Sequence, residues 1–406
     1  MEKVILHIDF DSFFASCEQQ FNPRLRGKAL GVTAEHGRTC IIAASREAKR
    51  FGIKTGTRSY DAQKILPDII LVPAKFERYY EITKKFLKIC SFYSPCVELF
   101  SIDECFIDLT PVLHLYPSIE FVAAEIKKRI KREIGEFITA SIGVSHNKLL
   151  AKLASGINKP DGFAKIKKQD VDEVYKKIEL TDICGIGEAL KIRLNIIGIF
   201  NFTDLKNCSV GLLKAEFGPS CAYHLKSLAC GFDDSPVIPY YFDHDIKSVG
   251  RNFCLPHNEL DQRKILETVY ELCSQIAKKL RKIHKKAGTV GLYLAGEKNC
   301  HGQKTIGKYM DLEQDIFSVC KFLYDKWDWN YMVRRIGVWT GNLIDDKFTN
   351  LSLFDNIKKD KIAQIVDSIN EKFGDHTIRN GFLLKAPKLT TKPNGYLSEK
   401  YMPVLI

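Results

Sequence analysis

The chemistry this sequence could perform is carried by acidic side chains set in apolar surroundings. Asp9 and Asp11 stand in "HIDFDSFFASCEQQ" (7–20) among Phe10, Phe13 and Phe14. Asp103 and Glu104 stand in "SIDE" (101–104), between the apolar residues Ile102 and Phe106. Like charges placed together at a strand end repel unless a cation lies between them. Hard carboxylate oxygens suit Mg²⁺, which completes its shell with water and substrate phosphates. Two such ions ~3.5–4 Å apart serve phosphoryl or nucleotidyl transfer. On the residues alone a plainer alternative stands: Asp9 as a turn residue closing a strand, and "SIDE" as a polar hairpin. The two segments are far apart in the chain, and no local spacing joins them.

Periodicity supplies the elements that would have to join them. "KVILHID" (3–9) is a continuous apolar run of strand type. Asp11 precedes a helical segment and is a candidate N-cap. "SREAKRFGIKTG" (45–56) reads as a basic helix ending at Gly52, and "PDIILVP" (67–73) as a strand between prolines. Residues 76–94 have helical spacing, with Tyr80, Phe86, Leu87 and Cys90 near one stripe. Residues 96–110 read as two strands meeting near Asp103, 119–135 as an amphipathic helix and 137–144 as a strand. This alternation predicts an α+β fold, with an antiparallel sheet carrying helices on one face in the ferredoxin-like arrangement. A helical stretch is expected over 166–232. "DDSPVIPYYFDHD" (233–245) reads as a linker. A second α+β unit follows: strand 247–254, helix 260–284, strand 288–296, helix 311–327 and strand 331–341. One helix, 357–373, is expected in the tail.

Bulk properties narrow the class. A chain of 406 residues is too long for one core. With 45% hydrophobic and 11% aromatic residues it is not disordered. A net charge of +12 favours a polyanionic partner. No apolar run reaches the ~18 residues of a spanning helix, and Glu2, Lys3 and Asp9 stand where a signal peptide would be apolar. The expectation is a soluble cytoplasmic protein with no membrane partner. The 13 cysteines are scattered without a C-x-x-C pair, which argues against both a disulfide framework and a zinc site.

"DFDSFFASCE", "FSIDECFID", "SIGVSHNKLLAKLAS" and "NKPDG", in that order, closely resemble the Y-family translesion DNA polymerases, the group of bacterial polymerase IV and the catalytic subunit of polymerase V. The resemblance spans roughly residues 1–342. "FASCE" and "EAK" lean toward the polymerase V type. It implies a palm (1–20 and 76–165), small fingers (21–75), a helical thumb (166–232), the linker (233–245), a little finger (246–342) and a C-terminal tail (343–406). It also implies a low-fidelity, template-directed polymerase acting in translesion synthesis and repair. Such an enzyme would be monomeric and nucleoid-associated, and would take primer–template DNA and deoxynucleoside triphosphates. Two Mg²⁺ ions would be bound by Asp9, Asp103 and Glu104 with help from the Phe10 carbonyl. Asp11 lies outside that set and keeps its capping role.

The same resemblance assigns further residues. Phe14 matches the steric gate that excludes a 2′-hydroxyl, and the backbone at Ser12 and Phe13 would cradle triphosphate oxygens. Arg46 and Lys49 match the fingers cations, where many relatives carry Tyr and Arg, and Lys159 resembles the palm lysine near the phosphates. "ICGIGEALKIRLNIIGI" (183–199) resembles a helix-hairpin-helix, with Gly185 and Gly187 approaching a DNA phosphate and Lys191 following. Arg251 in "SVGRNF" matches the little-finger strand along the template. Lys278 and Lys282, among the cations ending the 260–284 helix, would contact phosphates; a solvated cap on the helix dipole is the alternative. "NLSLFD" (350–355) resembles the peptide that binds the sliding clamp, with Leu351, Leu353 and Phe354 as anchors and Asn350 in place of the usual Gln. Two rivals remain: a palm-fold nucleotide cyclase, which has no need of the basic second unit, and an inactive DNA- and clamp-binding scaffold, which has no need of the three carboxylates.

Overall fold

The computed structural model describes residues 2–33, 40–242, 245–327, 329–348, 357–386 and 388–389. These fall into two compact units that divide between Phe242 and Asp245. The first unit begins with β1 (Ile5–Phe10), α1 (Phe13–Phe21), β2 (Leu30–Thr33), β3 (Ile41–Ala44), α2 (Arg46–Lys49), α3 (Ser59–Ile65) and β4 (Ile70–Pro73). It continues with α4 (Phe76–Ser91), β5 (Val97–Leu99), β6 (Glu104–Asp108), α5 (Ile119–Glu133), β7 (Ala140–Ser145), α6 (Lys148–Ile157) and β8 (Phe163–Lys165). Five short helices follow: α7 (Val171–Tyr175), α8 (Glu188–Ile196), α9 (Phe202–Asn207), α10 (Val210–Phe217) and α11 (Pro219–Ala229).

The main sheet has the order β5-β6-β1-β7-β8, so the apolar run "ILHIDF" becomes its central strand. Strand alternation then divides its side chains. Leu6, Ile8 and Phe10 join Cys105, Ile107, Ile142 and Val144 in the core beneath α4 and α5. Ile5, His7 and Asp9 point the other way, toward the face on which α6 lies. There a Cβ added to Gly143 would stand 2.1 Å from the Ala151 carbonyl oxygen and 2.2 Å from the Ser155 nitrogen, so the glycine is what lets α6 press onto β7. Helices therefore cover both faces, not one, and β8 joins β7 in parallel. Polar caps start the helices where the sequence supplies them: Ser45 for α2, Ser118 for α5 and Asn147 for α6 each accept a backbone N–H.

A second small sheet, β3-β2-β4, was not foreseen in full. Its strands β2 and β3 are four residues each, too short to show alternation. The helix expected up to Gly52 is a single turn, Arg46–Lys49. The segment from 233, expected as a linker, is pinned to the first unit as far as it is described. The Tyr240 N–H donates to the Val97 carbonyl (2.8 Å), and the Ile238 N–H donates to Glu98 Oε2 (2.9 Å). Lys148 Nζ bonds that same carboxylate at 2.7 Å.

The second unit contains β9 (Ser248–Glu259), α12 (Gln262–Lys282), β10 (Lys285–Gly296), β11 (Asn299–Met310), α13 (Glu313–Lys326), β12 (Val333–Asp345) and α14 (Ile357–Phe373). Its antiparallel sheet has the order β11-β10-β12-β9, with α12 and α13 packed on one face around Ile265, Leu272, Ile276 and Ile316. β11, polar along its length, is the element the sequence did not announce. α14 and the segment after it are bound to α12 by ion pairs: Arg281 to Asp367 of α14 (2.6 Å), then Lys278 to Asp375 (3.0 Å) and Glu271 to Arg379 (3.2 Å) beyond its end. Among the described residues no helix is long and apolar enough to cross a membrane.

Candidate active site

Strand register brings the Asp9 and Glu104 carboxylates together. Asp9 on β1 lies directly opposite Glu104 on β6 and opposite Ser141 on β7. The Phe10 N–H donates to the Asp103 carbonyl at 3.0 Å, which ties the residue before Glu104 to the residue after Asp9. Residues 94 and 95 positions apart in sequence thus share one edge of the sheet. Among the described residues, His7, Asp9 and Glu104 each offer a ligand atom within 4.8 Å of the others.

Burial sets the acidities. It raises the Asp9 carboxyl above its ordinary range, opposed by Lys159, whose Nζ lies 2.8 Å from Oδ1. It raises Asp103 as well, against a hydrogen bond from Ser101 and together with the charge of Glu104. For Glu104 burial is overcome. His7 Nε2 lies 2.9 Å from Oε2 and the Lys152 ammonium bonds the same oxygen, holding the carboxyl down at about 2. His7 is wholly buried, and its Nδ1 meets Ser155 Oγ at 2.8 Å. Burial lowers its imidazole below the ordinary range, against the hydrogen bond to Glu104. His7, Lys152 and Ser155 were not foreseen. The available signal was period two: His7 shares the strand face of Asp9, and Lys152 and Ser155 are three apart on the helix pressed against it.

The donor set fits a divalent cation. It is rich in carboxylate oxygen, is set where burial disfavours free charge, and already holds an ammonium group against Asp9 and another against Glu104.

α1 begins abruptly. Ser12 is left-handed (φ 49°, ψ 44°) and gives the helix no side-chain cap. Asp11 does not cap it either, contrary to the sequence expectation; its carboxylate turns inward to Thr139, Ser141 and the Asp161 N–H. Phe13 is buried and stacks on Phe10 at 5.1 Å between centroids. Phe14 is half-buried and lies nearly parallel to Tyr79, at 4.6 Å and 20°. Arg46, at the start of α2, reaches Asp11 at 3.5 Å and also bonds Thr139. Lys49 is exposed. Partial desolvation of its ammonium lowers its pKa, and so does the neighbouring Lys159 charge, while Asp11 and Asp9 oppose the shift. Lys159 is therefore held against Asp9 and Arg46 against Asp11, with Lys49 within electrostatic reach of both lysine and arginine.

Residues 8–156 match the profile of the impB/mucB/samB family, and residues 246–353 match that family's C-terminal domain. The DNA polymerase IV of Acetivibrio thermocellus is 32% identical over 397 residues, covering 95% of this chain and 98% of that protein. The DNA polymerase IV of Staphylococcus aureus strain Newman is 34% identical over 366 residues, covering 88% and 99%. A solved Y-family DNA polymerase chimera superposes with a TM-score of 0.72 at 26% identity, over 84% of this chain and 99% of that chain. The chain belongs to the Y family of translesion DNA polymerases.

The polymerase's remaining candidate residues differ in how free they are. Gly185 adopts φ 110°, a conformation that favours glycine, and Gly187 is the N-cap of α8 with open space around it. Lys191 on α8 is paired with Glu179 at 2.6 Å. Arg251 on the edge strand β9 lies opposite Val338 and shares the face of Val249 and Phe253, the side that packs on the helices; it is half-exposed. Lys278 is paired with Asp375, so the polymerase already balances that charge internally, whereas Lys282 is exposed. The clamp-like peptide with Asn350, Leu351, Leu353 and Phe354 lies outside the described residues.

Proposed function

We propose that this translesion polymerase extends the primer strand of a primer–template duplex with deoxynucleoside triphosphates, served by two Mg²⁺ ions. The observation that carries the reading is the cross-strand pairing of Asp9 with Glu104, with Asp103 adjoining and the Lys49 and Lys159 cations beside Asp9. Asp9, Asp103 and Glu104, with the Phe10 carbonyl, would hold the ions. Held by these residues, the ions would supply Lewis acidity for the primer 3′-hydroxyl and positive charge for the leaving pyrophosphate.

The protein's own groups do the rest. Lys159, Lys49 and Arg46 supply positive charge for the triphosphate oxygens, and the uncapped first N–H groups of α1 supply donors. The Phe14 ring, backed by Tyr79, forms a rigid wall against which a 2′-hydroxyl would clash. His7 and Lys152 grip one Glu104 oxygen and fix the rotamer of that carboxylate, so little reorganisation is needed when charge develops.

Primer extension on an undamaged and on a lesion-bearing template, with Mg²⁺ and all four deoxynucleotides, tests the reading. Extension of both is expected. Duplex binding without any extension would leave only the inactive scaffold. On sequence alone, Leu351, Leu353 and Phe354 support a sliding-clamp contact; loss of clamp capture on Leu353→Ala checks it.

A further inference from the structure

Asp11 is 4% exposed, yet it is neither in the carboxylate row nor a helix cap. A buried carboxylate is costly unless its lone pairs meet donors, and here they do. Oδ1 accepts the Ser141 hydroxyl at 2.8 Å. Oδ2 accepts the Thr139 hydroxyl at 2.6 Å and the Asp161 N–H at 2.8 Å, with the Arg46 guanidinium 3.5 Å away. The two hydroxyls are themselves engaged. Thr139 accepts from Arg46, and Ser141 accepts from the Gly162 N–H at 3.4 Å. Both Asp11 oxygens are thus engaged within the protein, and among the described residues Asp11 is not part of the His7, Asp9 and Glu104 group.

Each attachment ends beside a cation of the pocket. Asp161 and Gly162 belong to the same turn as Lys159. That turn is tight: Asp161 has φ 53°, and a Cβ on Gly162 would stand 1.9 Å from the Asn158 carbonyl oxygen. A shift of Asp161 therefore carries Lys159 with it. Arg46 opens the helical turn that carries Lys49. One buried carboxylate joins the first βα turn, the start of β7, the Lys159 turn and α2.

We propose that Asp11 is a positioning residue for the incoming nucleotide: without touching it, Asp11 sets the Lys159 turn against Asp9 and holds Arg46 to the same framework. The proposal rests on Lys159 being a triphosphate ligand, as read above. The test is single-nucleotide incorporation and thermal unfolding of Asp11→Asn, Lys159→Ala and the double variant. Asp11→Asn is expected to raise KM for the deoxynucleotide about tenfold with kcat changed less, the pattern of lost binding rather than lost chemistry. In the Lys159→Ala background it should raise KM by less than it does alone, because the part that acts through the Lys159 turn is already lost and only the part through Arg46 remains. A lowered unfolding temperature with unchanged KM would make Asp11 merely structural and overturn the proposal, as would KM effects that simply multiply. If Lys159→Ala leaves KM unmoved, the reading of Lys159 falls and takes this one with it; an effect of Lys159→Ala with none of Asp11→Asn sinks this proposal alone. Should Asp11→Asn not fold, Ser141→Ala removes one donor and keeps the charge. It should raise KM about threefold, and no rise overturns the proposal.

Discussion

Glu104 is held ionised by His7 and Lys152, and this grip should be measurable as stability in the metal-free protein. The perturbation is Glu104→Gln, which keeps the shape and cannot ionise. A carboxyl at about 2 in the native state, against an ordinary 4.5, favours the native state by ~3 kcal/mol at neutral pH. Because the native value is the lower one, the contribution is present above pH 4.5 and is lost as the pH falls toward 2. Asp9 and Asp103 run oppositely. Burial raises both, so their protonation favours the fold as the pH drops. They are common to both proteins and cancel in the difference, apart from the parts of the Asp103 and His7 shifts that depend on Glu104. The assay is urea unfolding of wild type and Glu104→Gln in EDTA from pH 7 to 3. The stability gap should be flat at neutral pH and should narrow by about 2 kcal/mol at pH 3. A gap constant down to pH 3 would show that His7 and Lys152 do not hold this carboxylate ionised.

Asp103→Ala should abolish primer extension while fluorescence anisotropy finds duplex affinity kept; full extension would contradict the metal assignment. Phe14→Ala should admit ribonucleotides, seen as a rise in the ribonucleotide-to-deoxynucleotide ratio of kcat/KM. It should also cost about 1–2 kcal/mol of stability through the lost stacking on Tyr79. Asp367→Ala leaves Arg281, 11% exposed, with the more distant Glu313 and the Asp311 carbonyl. Loosening of α14 by about 2–3 kcal/mol is expected, read as faster hydrogen exchange over residues 357–386 with the first unit unaffected.

The palm strands and the three carboxylates were legible because each stands in a local pattern: an apolar run broken by acid. What the sequence hid depends on partners far along the chain. Asp11 looks like a cap until Thr139, Ser141 and Asp161 arrive from more than a hundred residues away. His7 looks like a core histidine, since nothing nearby shows that Glu104 and Ser155 will meet its two nitrogens. Lys278 reads as a lone cation in the sequence, whereas Asp375, 97 residues away, pairs with it. β2 and β3 are too short for a period to register, and β11, largely exposed, shows no apolar alternation.

The facing of Asp9 and Glu104 across β1 and β6 ties enzyme yield to sheet assembly. Sliding β1 by a single residue would turn Asp9 toward the hydrophobic interior and put Ile8 or Phe10 in its place, and sliding β6 would do the same to Glu104 with Asp103 or Cys105. No partly aligned palm can then be partly competent. Core substitutions along β1 should reduce the fraction of molecules that titrate as active, while those that do assemble turn over at the normal rate.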